Sequence, residues 1–297
     1  MARQLLADKI KDGLLILDGA MGTQLMGSGV EPGKCNDYLN IDNPDLIVRI
    51  HSAYFKAGSD AVLTNTFGAN KFTLARHGHS GIAGKINFAA AQNARKAAGE
   101  NRYVIGDIGP TGDFLKPLGT LDGDELRAAF AEQAKGLVDG GIDGFIVETM
   151  TALDEAVIAV EAIQSVSPLP IFVSFAYGPG GKSYKTMMGF DVDSVVSQII
   201  PLGVSAVGFN CGTIPMDGYV KLTEKYAQAL ADSDTIILAE PNAGLPELVG
   251  DKTVYKLEPR EYADFARKIV DAGATILGGC CGTTPEHIKA LVKKFRG

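Results

Sequence analysis

The sequence predicts an α/β fold, a single (β/α)8 TIM barrel, and three observations lead to that prediction. Short apolar runs alternate eight times with longer stretches of helical periodicity, and no linker interrupts the 297 residues. The runs are apolar at successive positions, which is typical of strands buried on both faces of a parallel sheet. Polar or thiol side chains follow most runs, and barrels of this class carry their chemistry where their strands end.

The eight predicted units follow one another in chain order. The strands are predicted at Leu14–Asp18, Ala61–Thr66, Tyr103–Asp107, Gly144–Thr149, Ile171–Ala176, Ala206–Cys211, Ile236–Pro241 and Thr275–Cys281. The helices are predicted near 44–57, 83–98, 123–140, 152–166, 191–202, 215–231, 259–272 and 284–295. A doubly wound open sheet is the main alternative, but it normally has fewer units and a glycine-rich turn after its first strand, which 18–23 resemble only loosely. Long loops at 27–43, 177–190 and 245–258 are expected to form substrate walls and lids.

The composition argues against several classes of function. A formal net charge of −7 and a pI near 5.2 disfavour nucleic acid or an anionic membrane as the main partner. No apolar run reaches the roughly 18 residues of a membrane span, and the first residues lack the apolar core of a signal peptide. Four cysteines in a large leaderless chain indicate reduced thiols. We therefore expect residues 1–297 to form one cytoplasmic domain.

Three of the four cysteines are predicted to meet at one point. Cys211 ends the sixth predicted strand, and Cys280 and Cys281 end the eighth. Alternate strands of a barrel contribute side chains to the same layer, so these two strand ends can face each other. Adjacent residues of a regular strand point to opposite faces, but the glycines on both sides of the pair allow the sharp turn that brings both thiols to one metal.

Three thiolates with one open position form a catalytic type of zinc site. Such a site is too electron-rich to generate hydroxide, but it suits the binding of a substrate thiol as a nucleophilic thiolate, so the pattern predicts alkyl transfer to a thiol. Two alternatives remain. Free cysteines often simply pack in a core, which is the better interpretation of Cys211 taken alone. The glycine-rich loop after strand eight can also bind phosphate, as in a phosphate-binding barrel lyase or isomerase.

Several other residues are given structural roles at this point. Cys35, in the loop after strand one, is interpreted as a non-ligand, and His51 as an outer-surface residue of a helix. Asn65, Asp107 and Asn210 are expected to shape strand ends or to support the residues of the site.

The chain resembles the homocysteine S-methyltransferase family throughout its length. The matching segments are Leu17–Thr23, Leu63–Phe67, Gly106–Gly112, Glu148–Thr149, Asn210–Cys211, Glu240–Gly244 and Gly278–Pro285. Within the family it looks most like the N-terminal homocysteine-binding module of cobalamin-dependent methionine synthases, which is a zinc-bearing (β/α)8 barrel. The resemblance implies transfer of a methyl group to the thiol of homocysteine, giving methionine.

The resemblance also implies roles for individual residues. Cys211, Cys280 and Cys281 would bind one zinc ion, with the homocysteine sulfur in the fourth position. Asn242 matches a residue that can approach the metal when substrate is absent.

Four further residues match the part of the family's site that holds the amino acid. Asp18 and Glu148 would hold the ammonium group of homocysteine, and backbone amides around Gly19 and Ala20 would receive its carboxylate. Two structural alternatives stay open, because Asp18 can cap the first strand-loop turn and Glu148 can belong to a structural ion pair.

The methyl donor is the least defined part of the prediction. No Asp-x-His-x-x-Gly segment, the usual cobalamin-ligating signature, occurs in the sequence, so no cobalamin site is expected within this chain. A methylcobamide would then arrive on a separate corrinoid protein. The alternative donors in the family are small sulfonium or ammonium compounds such as S-methylmethionine or betaine. A cation–π cage for betaine would have to use tyrosine or phenylalanine, because the chain has no tryptophan.

Overall fold

The computed structural model describes residues 3–180, 183–250 and 252–297, and within them it confirms the predicted barrel. The barrel strands are β1 Leu15–Ile16, β2 Ala61–Leu63, β3 Tyr103–Ile108, β4 Gly144–Met150, β5 Ile171–Phe175, β6 Ala206–Asn210, β7 Ile236–Glu240 and β8 Ala274–Leu277. They form one parallel sheet in which neighbours in sequence are neighbours in space, and β8 pairs with β1. The carboxyl ends of all eight strands therefore lie at the same rim.

The seam between β1 and β2 is closed by hydrogen bonds that lie outside the strand ladders. The amide of Asp60 donates to the carbonyl of Ile16 at 2.7 Å. The amide of Leu63 donates to both carboxylate oxygens of Asp18, each at 3.2 Å. A side chain thus takes the place of a backbone acceptor at the point where the barrel closes.

Within the described residues, eight main helices surround the barrel. They are α1 Pro44–Ala57, α2 Ala83–Ala98, α3 Gly123–Gly140, α4 Leu153–Gln164, α5 Val192–Ile199, α6 Met216–Ala229, α7 Pro259–Asp271 and α8 Pro285–Arg296. Shorter helical segments are Leu6–Lys9, Met21–Gly27, Leu39–Asp42, Lys71–Ala75, Ser80–Ile82 and Ile200–Leu202. Asn43 caps α1 ahead of Pro44, and Thr284 and His287 form a reciprocal cap at the start of α8.

Two apolar layers hold these elements together. Leu17, Phe172 and Leu238 belong to the cluster that fills the barrel itself. A larger cluster packs the outer faces of the strands against the helices, and every residue of β3 is buried. Burial on both faces explains why the strand sequences are apolar at successive positions.

The structure differs from the sequence-based expectation in several places. Two of the predicted loops contain antiparallel hairpins, one pairing Tyr177–Gly180 with Ser183–Thr186 and the other pairing Glu247–Val249 with Lys252–Val254. Strand β8 ends at Leu277, before the cysteine pair, because the chain turns at the following glycines. The assignment of His51 to the outer surface is wrong, since its side chain is fully buried. Among the described residues, no helix combines the length and the apolar character that crossing a membrane requires.

Candidate metal and substrate site

The structure brings the three predicted thiols together at the carboxyl end of the barrel. Cys211 directly follows β6, and Cys280 and Cys281 follow β8. Their three sulfur atoms all lie within 4.8 Å of one another, and the Sγ atoms of Cys211 and Cys281 are 3.9 Å apart. Cys35 lies outside this group and packs against the apolar cluster of Ala69, Leu74, Ala83 and Ile86.

The local backbone explains how the thiols converge. Cys211 has a φ of +53°, in the left-handed region that a non-glycine residue seldom adopts, and Gly212 follows at +85°. Beyond β8, the amide of Cys280 donates to the carbonyl of Pro241 at 3.0 Å, and Gly282 has a φ of +81°. The chain therefore turns inward after each strand, and both thiols of the adjacent pair reach one point.

Three tyrosines from the outer helices hold these turns from behind. The hydroxyl of Tyr219 in α6 donates to the carbonyl of Cys211. The hydroxyl of Tyr262 in α7 donates to the carbonyl of Gly278 at 2.7 Å, and that of Tyr54 in α1 donates to the carbonyl of Ala20 at 3.1 Å. Because all three tyrosines are buried, they fix the strand-end loops to the helical layer.

The sulfur geometry fits a tetrahedral metal ion. Zinc–sulfur bonds of about 2.3 Å at tetrahedral angles place two ligand sulfurs about 3.8 Å apart, close to the separation of Cys211 and Cys281. A disulfide would require about 2.05 Å instead. Asn242, after β7, donates through Nδ2 to the carbonyl of Gly212 at 2.9 Å, whereas its buried Oδ1 has no hydrogen-bond partner. A buried amide oxygen without a partner is available as a donor to a cation.

The thiols share their protons unequally. Hydrogen bonds with Cys211 and then Cys280 lower the pKa of Cys281, whereas hydrogen bonds within the same cluster raise the pKa of Cys280. Hydrogen bonding thus favours the thiolate form at Cys281, and a thiolate suits a bound cation.

Four carboxyl groups lie at the same rim. Asp18 follows β1, Asp107 lies in β3, Glu148 in β4, and Glu240 ends β7. Asp18, Asp107 and Glu240 are each less than 5% exposed. In the part of the chain that the structure describes, none of the four makes an ion pair with a lysine, arginine or histidine. One oxygen each of Asp107 and Glu240 is buried without a hydrogen-bond partner.

Burial of these unpaired carboxyls changes their proton affinities. It raises the pKa of Glu148 to about 7. It raises the pKa values of Asp18, Asp107 and Glu240 well above their usual range, and the negative charge of Glu148 adds to the effect in all three. A cationic group of a ligand would stabilise the ionised forms of these four carboxyls.

The segment after β1 lies against the cysteine loop. A side-chain carbon at Gly19 would approach Thr283 Oγ1 to 2.6 Å, so only glycine fits there. The amide of Ala20 donates to Thr283 Oγ1 at 3.0 Å, and that hydroxyl donates to the carbonyl of Cys280 at 2.7 Å. A ligand carboxylate would therefore compete with Thr283 for the Ala20 amide.

Sequence reasoning underrated two of the residues that the structure places here. Asn210 is fully buried at the end of β6 and contacts both Glu148 and Cys280. Glu240 is predicted only as part of the matching segment Glu240–Gly244. Its position near the end of a predicted strand could have identified it as a residue of the site.

Residues 15–295 match the family model described as homocysteine S-methyltransferase. The chain belongs to this family. Two relatives are methionine synthases, 35% identical over 311 residues in Mycobacterium leprae and 34% identical over 309 residues in Mycobacterium tuberculosis. The alignments cover 96% of this chain, but they span only 24% and 25% of the two relatives.

The fold of this homocysteine S-methyltransferase family member also occurs in solved structures. The metallated form of the homocysteine methyltransferase MmuM from Escherichia coli superposes with a TM-score of 0.79 at 23% identity, covering 97% of this chain and 99% of that one. A methyltransferase from Methanosarcina mazei superposes with a TM-score of 0.60 at 11% identity, over 95% and 93% of the two chains. At these identities the likeness concerns the fold. Family membership, by contrast, favours a methyltransferase over the phosphate-binding lyase or isomerase.

Proposed function

We propose that residues 1–297 act as a homocysteine-binding barrel that catalyses zinc-dependent transfer of a methyl group to the homocysteine thiol, giving methionine. The observation that carries this proposal is the meeting of three thiols, 3.9 Å apart in the Cys211–Cys281 pair, with a cluster of unpaired acids at one barrel rim. A reducing compartment keeps such thiols free, so we assign the reaction to the cytoplasm.

In this proposal Cys211, Cys280 and Cys281 hold the metal. When bound, zinc supplies thiol activation, because it lowers the pKa of a coordinating substrate thiol while three thiolate ligands leave that sulfur nucleophilic. Asn242, whose Oδ1 lacks a partner, acts as a further oxygen donor to the metal in the substrate-free protein. The turns at Cys211 and at the adjacent pair bring the three sulfurs within 4.8 Å of one another, which favours their binding to a single ion.

The acids at the rim bind the amino acid. Asp18 and Glu148 receive the ammonium group of homocysteine, and amides around Gly19 and Ala20 receive its carboxylate. The ammonium charge would lower the pKa of Glu148 from its value of about 7 in the free protein, so that this carboxyl is ionised in the complex. Two contacts at one end of a short substrate fix the direction in which its sulfur points.

We propose a methylcobamide as the donor, presented by a corrinoid protein module outside this barrel. Two observations support this choice. The chain is similar to one segment, about a quarter of the length, of two methionine synthases. Large apolar side chains in the loops around the mouth are also exposed, as expected of a surface that meets another macromolecule: Met26, Phe67, Phe114, Leu118, Met187, Leu245, Leu248 and Val249.

The deciding experiment measures zinc in protein purified under reducing conditions without chelator. We expect about one zinc per chain in the wild type and in Cys35→Ser, and loss of zinc in Cys281→Ser. Cys35→Ser is the matched control, because it removes a thiol that lies outside the cluster. Homocysteine is then titrated by calorimetry in two buffers of different ionisation enthalpy, and release of a proton is expected on binding.

Each step has an outcome that contradicts the proposal. Absence of zinc from wild-type protein would refute the metal site and the mechanism built on it. Zinc without homocysteine binding would refute the acceptor. Methyl transfer to bound homocysteine from S-methylmethionine or betaine, and none from methylcobalamin, would replace the proposed donor.

A further inference from the structure

Asn210 makes an unusual set of contacts between the two halves of the site. It is fully buried at the end of β6, one residue before Cys211. Its Oδ1 accepts from the amide of Thr149 at 2.8 Å and from the hydroxyl of Ser174 at 2.7 Å. A backbone amide can only donate, so the atom that faces Thr149 is the oxygen, and the amide nitrogen must face the other way.

The amide nitrogen of Asn210 faces three acceptors. Nδ2 lies 2.6 Å from Glu148 Oε2, 2.6 Å from Thr149 Oγ1 and 3.8 Å from Cys280 Sγ. It has two hydrogens, which these three acceptors share. One side chain therefore links a carboxylate of the acid cluster to a sulfur of the thiol cluster.

The backbone on both sides of this link is constrained. Thr149 and Cys211 are the non-glycine residues with positive φ within the described ranges, at +60° and +53°. They directly follow Glu148 and Asn210. Such conformations persist only where the surroundings hold them, and both of the polar contacts that Thr149 makes with Asn210 serve that purpose. Asn210 thus supports the bend that directly follows Glu148.

We propose that Asn210 is a positioning residue that fixes Glu148 and Cys280 relative to each other, so that metal binding and homocysteine binding are coupled through its side chain. The inference rests on the proposed function, because it takes Cys280 as a metal ligand and Glu148 as an ammonium-binding group. A hydrogen bond to a thiolate draws electron density from the sulfur, and outer hydrogen-bond partners of this kind orient and tune the ligands of a metal.

The test compares Asn210→Asp with the wild type after loading both with Co²⁺, whose sulfur-to-metal charge-transfer band reports on the thiolates. Aspartate keeps the size and one acceptor oxygen, and in its ionised form it cannot donate. We expect the band to move to lower energy, because Cys280 loses its donor. The dissociation constants for zinc and homocysteine should each rise about tenfold or more. A purely structural role would lower the melting temperature without moving the band.

Ser174→Ala is the matched control. It removes a hydroxyl whose hydrogen bond goes to the oxygen of Asn210, and it leaves the contacts with Glu148 and Cys280 in place. The band should therefore keep its energy, and both dissociation constants should stay within about twofold of the wild-type values. If Asn210→Asp does not fold, Asn210→Ser provides the same test, because the serine side chain is too short to reach Glu148 or Cys280.

The outcomes separate the two proposals. An unchanged band and unchanged affinities in a folded Asn210 variant would overturn the positioning role and leave the proposed function intact. A wild-type protein that binds neither metal nor homocysteine would overturn both.

Discussion

The acidic side chains at the two ends of this barrel differ in whether a basic residue pairs with them. At the amino end, Asp143 precedes β4 and forms ion pairs with Arg3 and with Arg95, the latter at 2.6 Å. Asp60 precedes β2 and is paired with Arg296 and, at 3.8 Å, with Arg102. At the carboxyl end, the four carboxyls around Glu148 have no basic partner among the described residues.

This difference shows where charge serves stability and where it serves binding. Both acids of the amino end also accept a backbone amide, Asp60 from Ile16 and Asp143 from Val104, each at 2.8 Å. Their charges are compensated within the chain and hold strand ends together. The acids at the other rim have no basic partner among the described residues, so burial disfavours their charged forms, and a cationic ligand can offset this penalty.

The largest effect is expected at the amino end, from Asp143→Ala. It leaves Arg3 and Arg95 without their carboxylate and the amide of Val104 without an acceptor, so the free energy of unfolding should fall by about 3 kcal/mol. Urea unfolding of the zinc-loaded wild type and variant measures this difference in the free energy of unfolding. Asp139→Ala is the control, because it removes only an exposed ion pair with Lys135 and should cost less than about 0.5 kcal/mol. Equal losses in both variants would contradict the comparison.

The next largest effect is expected at the opposite rim, from Glu148→Gln. Loss of the charged contact to the homocysteine ammonium should weaken binding roughly thirtyfold, or about 2 kcal/mol, while the free energy of unfolding stays the same or increases. Calorimetric titration of homocysteine gives the first quantity and urea unfolding the second. Glu161→Gln, on the exposed side of α4, should change neither. A variant that binds normally but unfolds easily would assign Glu148 to the structural class of Asp143.

The smallest effect is a pH dependence of stability in the homocysteine-free protein. The native pKa of Glu148, about 7, lies above its ordinary value of 4.5, because burial disfavours the charged form. The native state therefore binds more protons than the unfolded state between these values, and its stability falls as pH rises through 7. Between pH 6 and 8 the wild type should lose about 1 kcal/mol more than Glu148→Gln. Parallel curves for the two proteins would show that Glu148 does not titrate in this range.

The order and the number of the strands could be predicted from the sequence, because strands buried on both faces are apolar at successive positions. The convergence of Cys211 with Cys280 and Cys281 also followed, since alternate strands of a barrel share a layer. The burial of His51 did not follow, because it depends on how deeply α1 packs against its neighbours rather than on the helical pattern. Each strand of the hairpin formed by Glu247–Val249 and Lys252–Val254 is only three residues long, and Glu247–Val249 is exposed throughout, so no periodic signal distinguished the hairpin from a loop.

Among the described residues, no lysine or arginine forms an ion pair with Glu148 or Glu240, and this could not be predicted from the sequence either. Lysines and arginines are frequent along the chain, and only the tertiary structure shows that they gather elsewhere. The role of Asn210 depends on a side chain with two chemically different ends, and a sequence does not say which end faces which neighbour.

The carboxylate of Asp18 closes the seam between β1 and β2, and this has a consequence for the evolution of the barrel. The same group is the proposed partner of the substrate ammonium. A lineage that replaced it would therefore weaken the closure of the barrel while it changed its substrate specificity. Glu148 is not among the groups that close the seam between β1 and β2. Descendants that accept thiols without an amino group are therefore expected to diverge first at Glu148 and to keep Asp18.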